Sequence, residues 1–282
     1  MPSTTTERSL DLSLSESELE RHREHITDFI ATQADAAGAD AAVIALSGGI
    51  DSTLTAYLAV EALGADSVYG LVLPSEVNRE GNMSDAERVA SELLGIEYDV
   101  VEIGPVVDAI VEAVPGTDVT DAPTDEPEQV AIGNTRARVR SVFNYFVANR
   151  DNGLVLGTGN KSEALVGYFT KYGDGAVDCL PIANLYKQQV RQLAASLGVP
   201  ADLVDQTPTA GMWDGQTDEA ELGLDYDTVD AILALHIDGP LSTTATTRTL
   251  DGVDRSQIER VEALVAESTH KRSMPPAPSP LA

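Results

Sequence analysis

Residues 41–46 read AAVIAL, an apolar run that passes directly into Ser47-Gly48-Gly49-Ile50-Asp51-Ser52. A short uncharged run of this kind fits a strand buried on both faces, as in a parallel sheet covered by helices. A helical pattern follows through Leu54, Tyr57, Leu58 and Leu63 and stops at Gly64. A strand that turns through two glycines into a helix can aim its backbone N–H groups at one point beside the positive helix N-terminus. With the Ser47 and Ser52 hydroxyls these make an anion site. The loop lacks the lysine of a G-x-x-x-x-G-K-[ST] phosphate loop. Asp51 puts negative charge beside bound phosphate, which predicts a bridging divalent cation, Mg²⁺. The same six residues also fit a plain turn with a capping Ser or Asp.

The alternation continues along the chain. Strands are expected at 68–73, 98–103 and 153–156, with helices at 17–37, 84–94, 129–149, 185–197, 226–236 and 255–267. Residues 117–128, acidic and proline-containing, and 207–223, polar, read as loops. The expected fold is therefore α/β, a doubly wound parallel sheet flanked by helices in one domain over 1–282. An acidic N-terminus (about 1–15) and a proline-rich tail (about 274–282) are expected to be flexible. In such a sheet, ligands bind at the carboxyl ends of the strands, where the glycine-rich turn lies.

Composition narrows the function. Forty-six acidic side chains face 18 basic ones, a net charge of −28. That surface repels nucleic-acid phosphates and anionic membranes, and reads as a solvated acidic coat suited to a high-salt cytosol. The N-terminus has no basic start and apolar centre, and no apolar run approaches the roughly 20 residues of a membrane span, so a cytoplasmic protein is expected. A single cysteine, Cys179, excludes an intrachain disulfide and a cysteine-based zinc site. Lysine occurs only at Lys161, Lys171, Lys187 and Lys271. A chain that does not use lysine as a solubilising residue makes each of these a candidate for a specific task.

A second glycine-rich stretch, Gly157-Thr158-Gly159-Asn160-Lys161-Ser162-Glu163, follows the strand at 153–156, and Tyr168-Phe169-Thr170-Lys171-Tyr172-Gly173-Asp174-Gly175 comes soon after. Carboxylates and a lysine crowded at that point are costly to bury without partners. The S-G-G-x-D-S turn resembles the pyrophosphate-binding loop of the PP-loop ATP pyrophosphatase superfamily. The second stretch narrows the resemblance to ammonia-dependent NAD synthetases. Leu185-Tyr186-Lys187-Gln188-Gln189-Val190-Arg191, Pro208-Thr209-Ala210, Gly215-Gln216-Thr217-Asp218-Glu219 and His270-Lys271-Arg272 agree in order and spacing. The likeness runs from about Ser17 to Pro276.

This resemblance implies an ATP-dependent amidation of deamido-NAD by ammonia through an adenylated intermediate, giving NAD, AMP and pyrophosphate. It implies that Ala45, Leu46, Ser47, Gly48, Gly49, Ile50, Asp51 and Ser52 cradle ATP with Thr158, Lys187 and Thr209. Asp51 and Glu163 would hold Mg²⁺. Arg138, Lys171, Asp178, His270 and Lys271 would contact deamido-NAD. Asp51, Asp178 and Lys187 would act in catalysis, Lys187 on the leaving pyrophosphate and Asp178 in shedding a proton from ammonium. Glu163 also reads as a helix cap, Arg138 as a surface ion-pair partner and His270 as an exposed tail residue. The family forms homodimers. Its glutamine-dependent relatives carry a large extra amidase domain, for which the roughly 40 residues before the first strand leave no room, so free ammonia is the expected donor. Many members carry a lysine where this chain has Gln206.

Two other readings remain open at this point. One is another PP-loop adenylating ligase, such as a tRNA-modifying enzyme, which the acidic charge and single cysteine oppose. The other is a non-catalytic nucleotide sensor, which would need only the first turn.

Overall fold

The computed structural model describes residues 10–75, 82–115, 126–213 and 215–279. Four strands form one parallel sheet: β1 (Ala41–Leu46), β2 (Val68–Val72), β3 (Glu97–Val100) and β4 (Gly153–Leu156), in the order β3-β2-β1-β4. Successive strands step outward from β1 to β3, then the chain returns and adds β4 on the other side of β1. The sheet thus has its topological switch between β1 and β4, where a crevice opens at the carboxyl ends.

Helices cover both faces. α1 (Glu16–Ala37), α2 (Ile50–Leu63) and α7 (Lys187–Ser196) pack on one side, where Ile26, Ile30, Leu54, Leu58 and Leu193 are buried with Ile44 and Leu156. α4 (Gly104–Glu112) and α5 (Glu126–Arg150) cover the other, with Val107, Val139 and Val147 against Val43, Leu71 and Val155. Alternate residues of β1 and β4 therefore serve opposite cores, which is why both strands read as uninterrupted apolar runs. A third cluster gathers α10 (Tyr226–Ile232), α11 (Thr243–Thr249) and α12 (Arg255–Glu267) around Tyr226, Ile232 and Ile258. It packs against α6 (Lys161–Val166) through Val166, and so supports the helix that carries Glu163.

Several boundaries differ from the sequence expectation. The third strand ends at Val100 rather than at 103, and the second at Val72. Ile103 is fully buried and starts α4, a helix the alternation did not reveal. The helix expected at 84–94 is α3 (Asn82–Arg88) continuing into a π turn (Val89–Leu94). α7 begins at Lys187, two residues later than expected, with Tyr186 as its N-cap. The polar stretch 207–223 contains α9 (Asp218–Leu222), preceded by α8 (Ala201–Val204). The acidic loop at 117–128 lies mostly outside the described residues, and its end is already helix from Glu126. Within the N-terminal segment, Leu10 and Leu12 pack on the third cluster and Leu14 N–H donates to Gln192 Oε1 at 2.7 Å, so 10–15 is docked rather than loose.

Candidate active site

Ile44 pairs with Leu156, so the turns that leave β1 and β4 lie side by side. Both line a cavity of about 510 Å³, together with Arg140 and Asn144 from α5, Thr207 to Met212, and Asp218. In the first turn, Gly48 has φ 80°, a left-handed conformation open to glycine. Gly49 N–H donates to Ser47 Oγ at 3.2 Å, and Ser52 Oγ donates to the Gly49 carbonyl at 3.0 Å. The turn keeps its shape through its own hydroxyls, and Ile50 and Asp51, the first residues of α2, face the cavity.

Lys187 is the charged centre. It is 2% exposed, with Nζ 2.5 Å from Asp51 Oδ2 and 3.1 Å from Glu163 Oε1. Burial disfavours its charge, but Asp51 and Glu163 outweigh that and hold its pKa above the ordinary lysine value. Burial pushes the Glu163 carboxyl up, against the pull of Lys187. Glu163 also caps α6: its Oε2 accepts from Asn160 N–H at 3.3 Å, while Asn160 Oδ1 accepts from Glu163 N–H at 3.0 Å. The capping reading of Glu163 thus holds, with Oε2 on the cap and Oε1 paired with the Lys187 ammonium. Asn160 Nδ2 donates to Asp51 Oδ1 at 2.8 Å and ties the two turns together.

Two carboxylates converge here on one positive charge. Among the described residues no group of three or more His, Cys, Asp or Glu side chains stands close enough to hold a metal. A divalent cation between Asp51 and Glu163 would take its remaining ligands from phosphate oxygens and water, a donor set that suits Mg²⁺.

The other sequence candidates divide into two groups. Ala45, Leu46, Thr158 and Thr209 line the same cavity, and Thr209 Oγ1 donates to the Gln216 carbonyl at 2.7 Å. Gln206 lines it too, but its amide donates to Asp85 at 2.8 Å. Lys271 lines an adjoining cavity of about 230 Å³ with Phe169, Trp213, Tyr168 and Asp174. Its ammonium donates to the carbonyls of Gly167 at 2.7 Å and Phe169 at 2.8 Å. Arg138, Lys171, Asp178 and His270 line neither cavity. Lys171 Nζ donates to the His270 carbonyl at 2.5 Å, and Arg138 donates to the Lys171 carbonyl at 3.3 Å. Asp178 accepts from Val155 N–H at 2.8 Å and from Tyr145 OH at 3.0 Å. Both its oxygens are engaged, and it stands away from the Lys187 centre.

A family model described as NAD synthase matches residues 22–275. The chain belongs to the NAD synthase family. It is 57% identical to the NH(3)-dependent NAD(+) synthetase of Halobacterium salinarum, covering 99% of this chain and 100% of that protein. It is 43% identical to the protein of that name from Methanosarcina mazei, over 93% and 98% of the two chains. Among solved structures it is similar to an NMN synthetase from Francisella tularensis, with TM-score 0.78, 34% identity and coverage of 94% and 99%. It is also similar to the NH3-dependent NAD synthetase from Campylobacter jejuni in complex with nitrate, with TM-score 0.75, 29% identity and coverage of 95% and 100%.

For this member of the NAD synthase family, sequence reasoning did not single out Asn160, Arg140, Asp174 or Asp218 as site residues. Arg140 Nε donates to the Leu73 carbonyl at 3.1 Å; burial and then Arg136 push its guanidinium down to about 10, so it stays charged at neutral pH. Asp174 accepts from Thr170 N–H at 2.9 Å, and burial raises its pKa. Its place between Gly173 and Gly175 was the available signal, since glycines let a backbone bend around a buried carboxylate. All four lysines stand near an aromatic ring: Lys161 over Tyr186, Lys171 over Tyr172, Lys187 over Tyr226 and Lys271 over Phe169.

Proposed function

We propose that this chain is a carbon–nitrogen ligase that amidates deamido-NAD with ammonia at the expense of ATP. The nicotinate carboxylate attacks the α-phosphorus of ATP, the bond to the β-phosphate oxygen breaks and pyrophosphate leaves. Ammonia then displaces AMP from the mixed anhydride and, after losing a proton, becomes the amide nitrogen of NAD. The observation that carries this reading is the meeting of the Ser47–Ser52 turn, Glu163 and Lys187 in one cavity at the sheet's switch point.

The residues divide the work by their chemistry. Ala45 to Ser52 bind the phosphates through backbone N–H groups and hydroxyls, and Thr158 and Thr209 complete the ATP site. Asp51 and Glu163 would hold Mg²⁺, which would supply charge neutralisation for the phosphates. Lys187 stabilises the same leaving group from a water-poor pocket, where its charge acts strongly. Lys271 and the adjoining cavity around Phe169 and Trp213 support a site for the dinucleotide, whereas Arg138, Lys171, Asp178 and His270, which line neither cavity, would contact it only from outside these two cavities. Asp178 is the weakest of these assignments, because its oxygens are occupied by Val155 and Tyr145.

A homodimer and a cytoplasmic, salt-adapted protein complete the proposal. Val142 and Phe146 on α5 and Val106 and Ile110 on the adjacent α4 are exposed, an apolar row that supports pairing through these helices. Tyr145, which donates to Asp178, is half-buried on the same helix, one residue before Phe146. Among the described residues no helix is long and apolar enough to cross a membrane.

The likeness to a solved NMN synthetase favours one alternative substrate, nicotinate mononucleotide, at the same site. The deciding experiment measures amide and AMP together in molar KCl with ATP, Mg²⁺ and ammonium. Deamido-NAD, nicotinate mononucleotide and, in place of ammonium, glutamine are run in parallel. NAD and AMP in equal amounts with deamido-NAD and ammonium support the reading. Faster turnover of the mononucleotide assigns the alternative, and no product with either acid rejects both.

A further inference from the structure

Asp218, at the first position of α9, is 3% exposed and lines the ATP cavity. Its Oδ2 accepts from Tyr226 OH at 3.0 Å and the Tyr168 hydroxyl also interacts with the carboxylate, while its buried Oδ1 makes no hydrogen bond of ordinary geometry among the described residues. A buried carboxylate oxygen left without a hydrogen bond is costly, and folded proteins keep few of them. Tyr226 connects it to the charged centre: Lys187 Nζ stands 5.1 Å above the Tyr226 ring, and the hydroxyl of that ring holds Asp218. Lys187 in turn occupies the position between Asp51 and Glu163 that a divalent cation would need. Two cations cannot share that position, because like charges a few ångströms apart in a poorly hydrated pocket repel strongly.

We propose that Lys187 is a resident stand-in for the metal and that Asp218 is the positioning residue that receives its ammonium once the metal takes Asp51 and Glu163. This rests on the assignment of Asp51 and Glu163 as metal ligands. Without metal, Lys187 neutralises the two carboxylates and keeps the two turns closed on each other. With metal, its flexible side chain swings past the Tyr226 ring to the free Asp218 oxygen. That keeps it beside the phosphates without blocking the metal. Asp218 thereby lowers the cost of metal binding while touching neither metal nor substrate.

The test is Mn²⁺ binding to the substrate-free protein in molar KCl, followed by electron paramagnetic resonance, for wild type, K187M, D218N and the double variant. K187M removes the competing ammonium and is expected to tighten Mn²⁺ binding by about tenfold. D218N keeps an acceptor for Tyr226 and is expected to weaken it by about fivefold, an effect that falls below about twofold in the K187M background. A structural or purely through-space role would leave the cycle additive, and additivity overturns the proposal. Y226F, which keeps the buried ring, provides a control once its circular dichroism matches that of wild type. It removes the hydroxyl contact but not the carboxylate, and is expected to leave Mn²⁺ affinity within about twofold of wild type. Should Y226F match D218N, the contact rather than the carboxylate matters and the proposal falls. The wild-type titration is repeated with pyrophosphate, which supplies the phosphate oxygens: wild type that binds no Mn²⁺ in either state refutes the metal assignment itself, whereas binding with an additive cycle refutes only the role of Asp218.

Discussion

Asn160 Nδ2 donates to Asp51 Oδ1 at 2.8 Å, a hydrogen bond that joins two glycine-rich turns 109 residues apart in sequence. The same side chain caps α6 through Glu163 N–H. One residue thus sets both the spacing of the carboxylates and the start of the helix that bears one of them. N160A is expected to lose both, lowering stability by about 1–2 kcal/mol and raising the Mg²⁺ concentration needed for half-maximal activity. N160D keeps an N-cap acceptor but sets a carboxylate against Asp51. Its melting temperature in molar KCl is expected to exceed that of N160A, while its activity falls at least as far.

Glu163 divides its two oxygens between Lys187 and the α6 cap. E163Q keeps an acceptor for Asn160 and loses the charge. The expected outcome is a stability change of less than about 1 kcal/mol in chemical denaturation, with a loss of kcat of about 10²-fold or more. Equal turnover by E163Q and wild type at saturating Mg²⁺ would remove Glu163 from the reaction.

Gly167 ends α6 with φ 72°, and a Cβ built there would lie 2.0 Å from Ser268 Cβ. Ser268 closes α12 just before His270 and Lys271, and the Gly167 carbonyl receives Lys271. G167A is therefore expected to destabilise the protein by more than about 2 kcal/mol, through left-handed backbone strain and overpacking together. Denaturant midpoints of the two proteins check this. A neutral substitution would mean that the contact between α6 and the α12 terminus relaxes freely.

His236 has both ring nitrogens against acceptors, the Leu241 carbonyl at 2.6 Å and Glu262 Oε1 at 2.5 Å. Burial lowers its pKa, but Glu262 and the Leu241 carbonyl outweigh that and raise it above the ordinary value. A raised histidine pKa adds stability that is fully present below about pH 6.5 and is lost as pH rises through the folded-state value. E262Q is expected to lower the melting temperature at pH 6 and to change it much less at pH 9. An NMR titration of His236 reads the shift directly, and a pKa equal in both proteins would refute the pairing.

The net charge of −28 predicts a protein whose compact state repels itself at low ionic strength. Its melting temperature is expected to rise steadily from 0.1 M to about 2 M KCl, where the Debye length falls below about 3 Å. A flat profile would mean that the acids are individually solvated or paired and exert no collective field.

The presence of the β1 and β4 strands, the two glycine-rich turns that follow them and the small number of lysines were legible because each depends on local covalent rules or on composition. An uncharged run can be a doubly buried strand, two adjacent glycines can bend sharply, and a rare residue type stands out in a strongly acidic chain. The resemblance carried by those motifs agrees with the family to which the chain belongs. Helix α4, the π turn after α3 and the docking of Leu10, Leu12 and Leu14 were not legible, because packing on the sheet or the third cluster, not local pattern, selects them. Sequence separation likewise hid the central cluster: Asp51, Asn160, Glu163, Lys187 and Asp218 come from four turns and helix starts, and only the β3-β2-β1-β4 order sets β1 and β4 edge to edge. The sequence by itself determined the family and the glycine-rich turns that follow two of the strands. The tertiary structure decided that one buried ammonium pairs with two carboxylates and that Asp218, but not Asp178, lines the same cavity, because burial and partner geometry arise only when distant segments pack together.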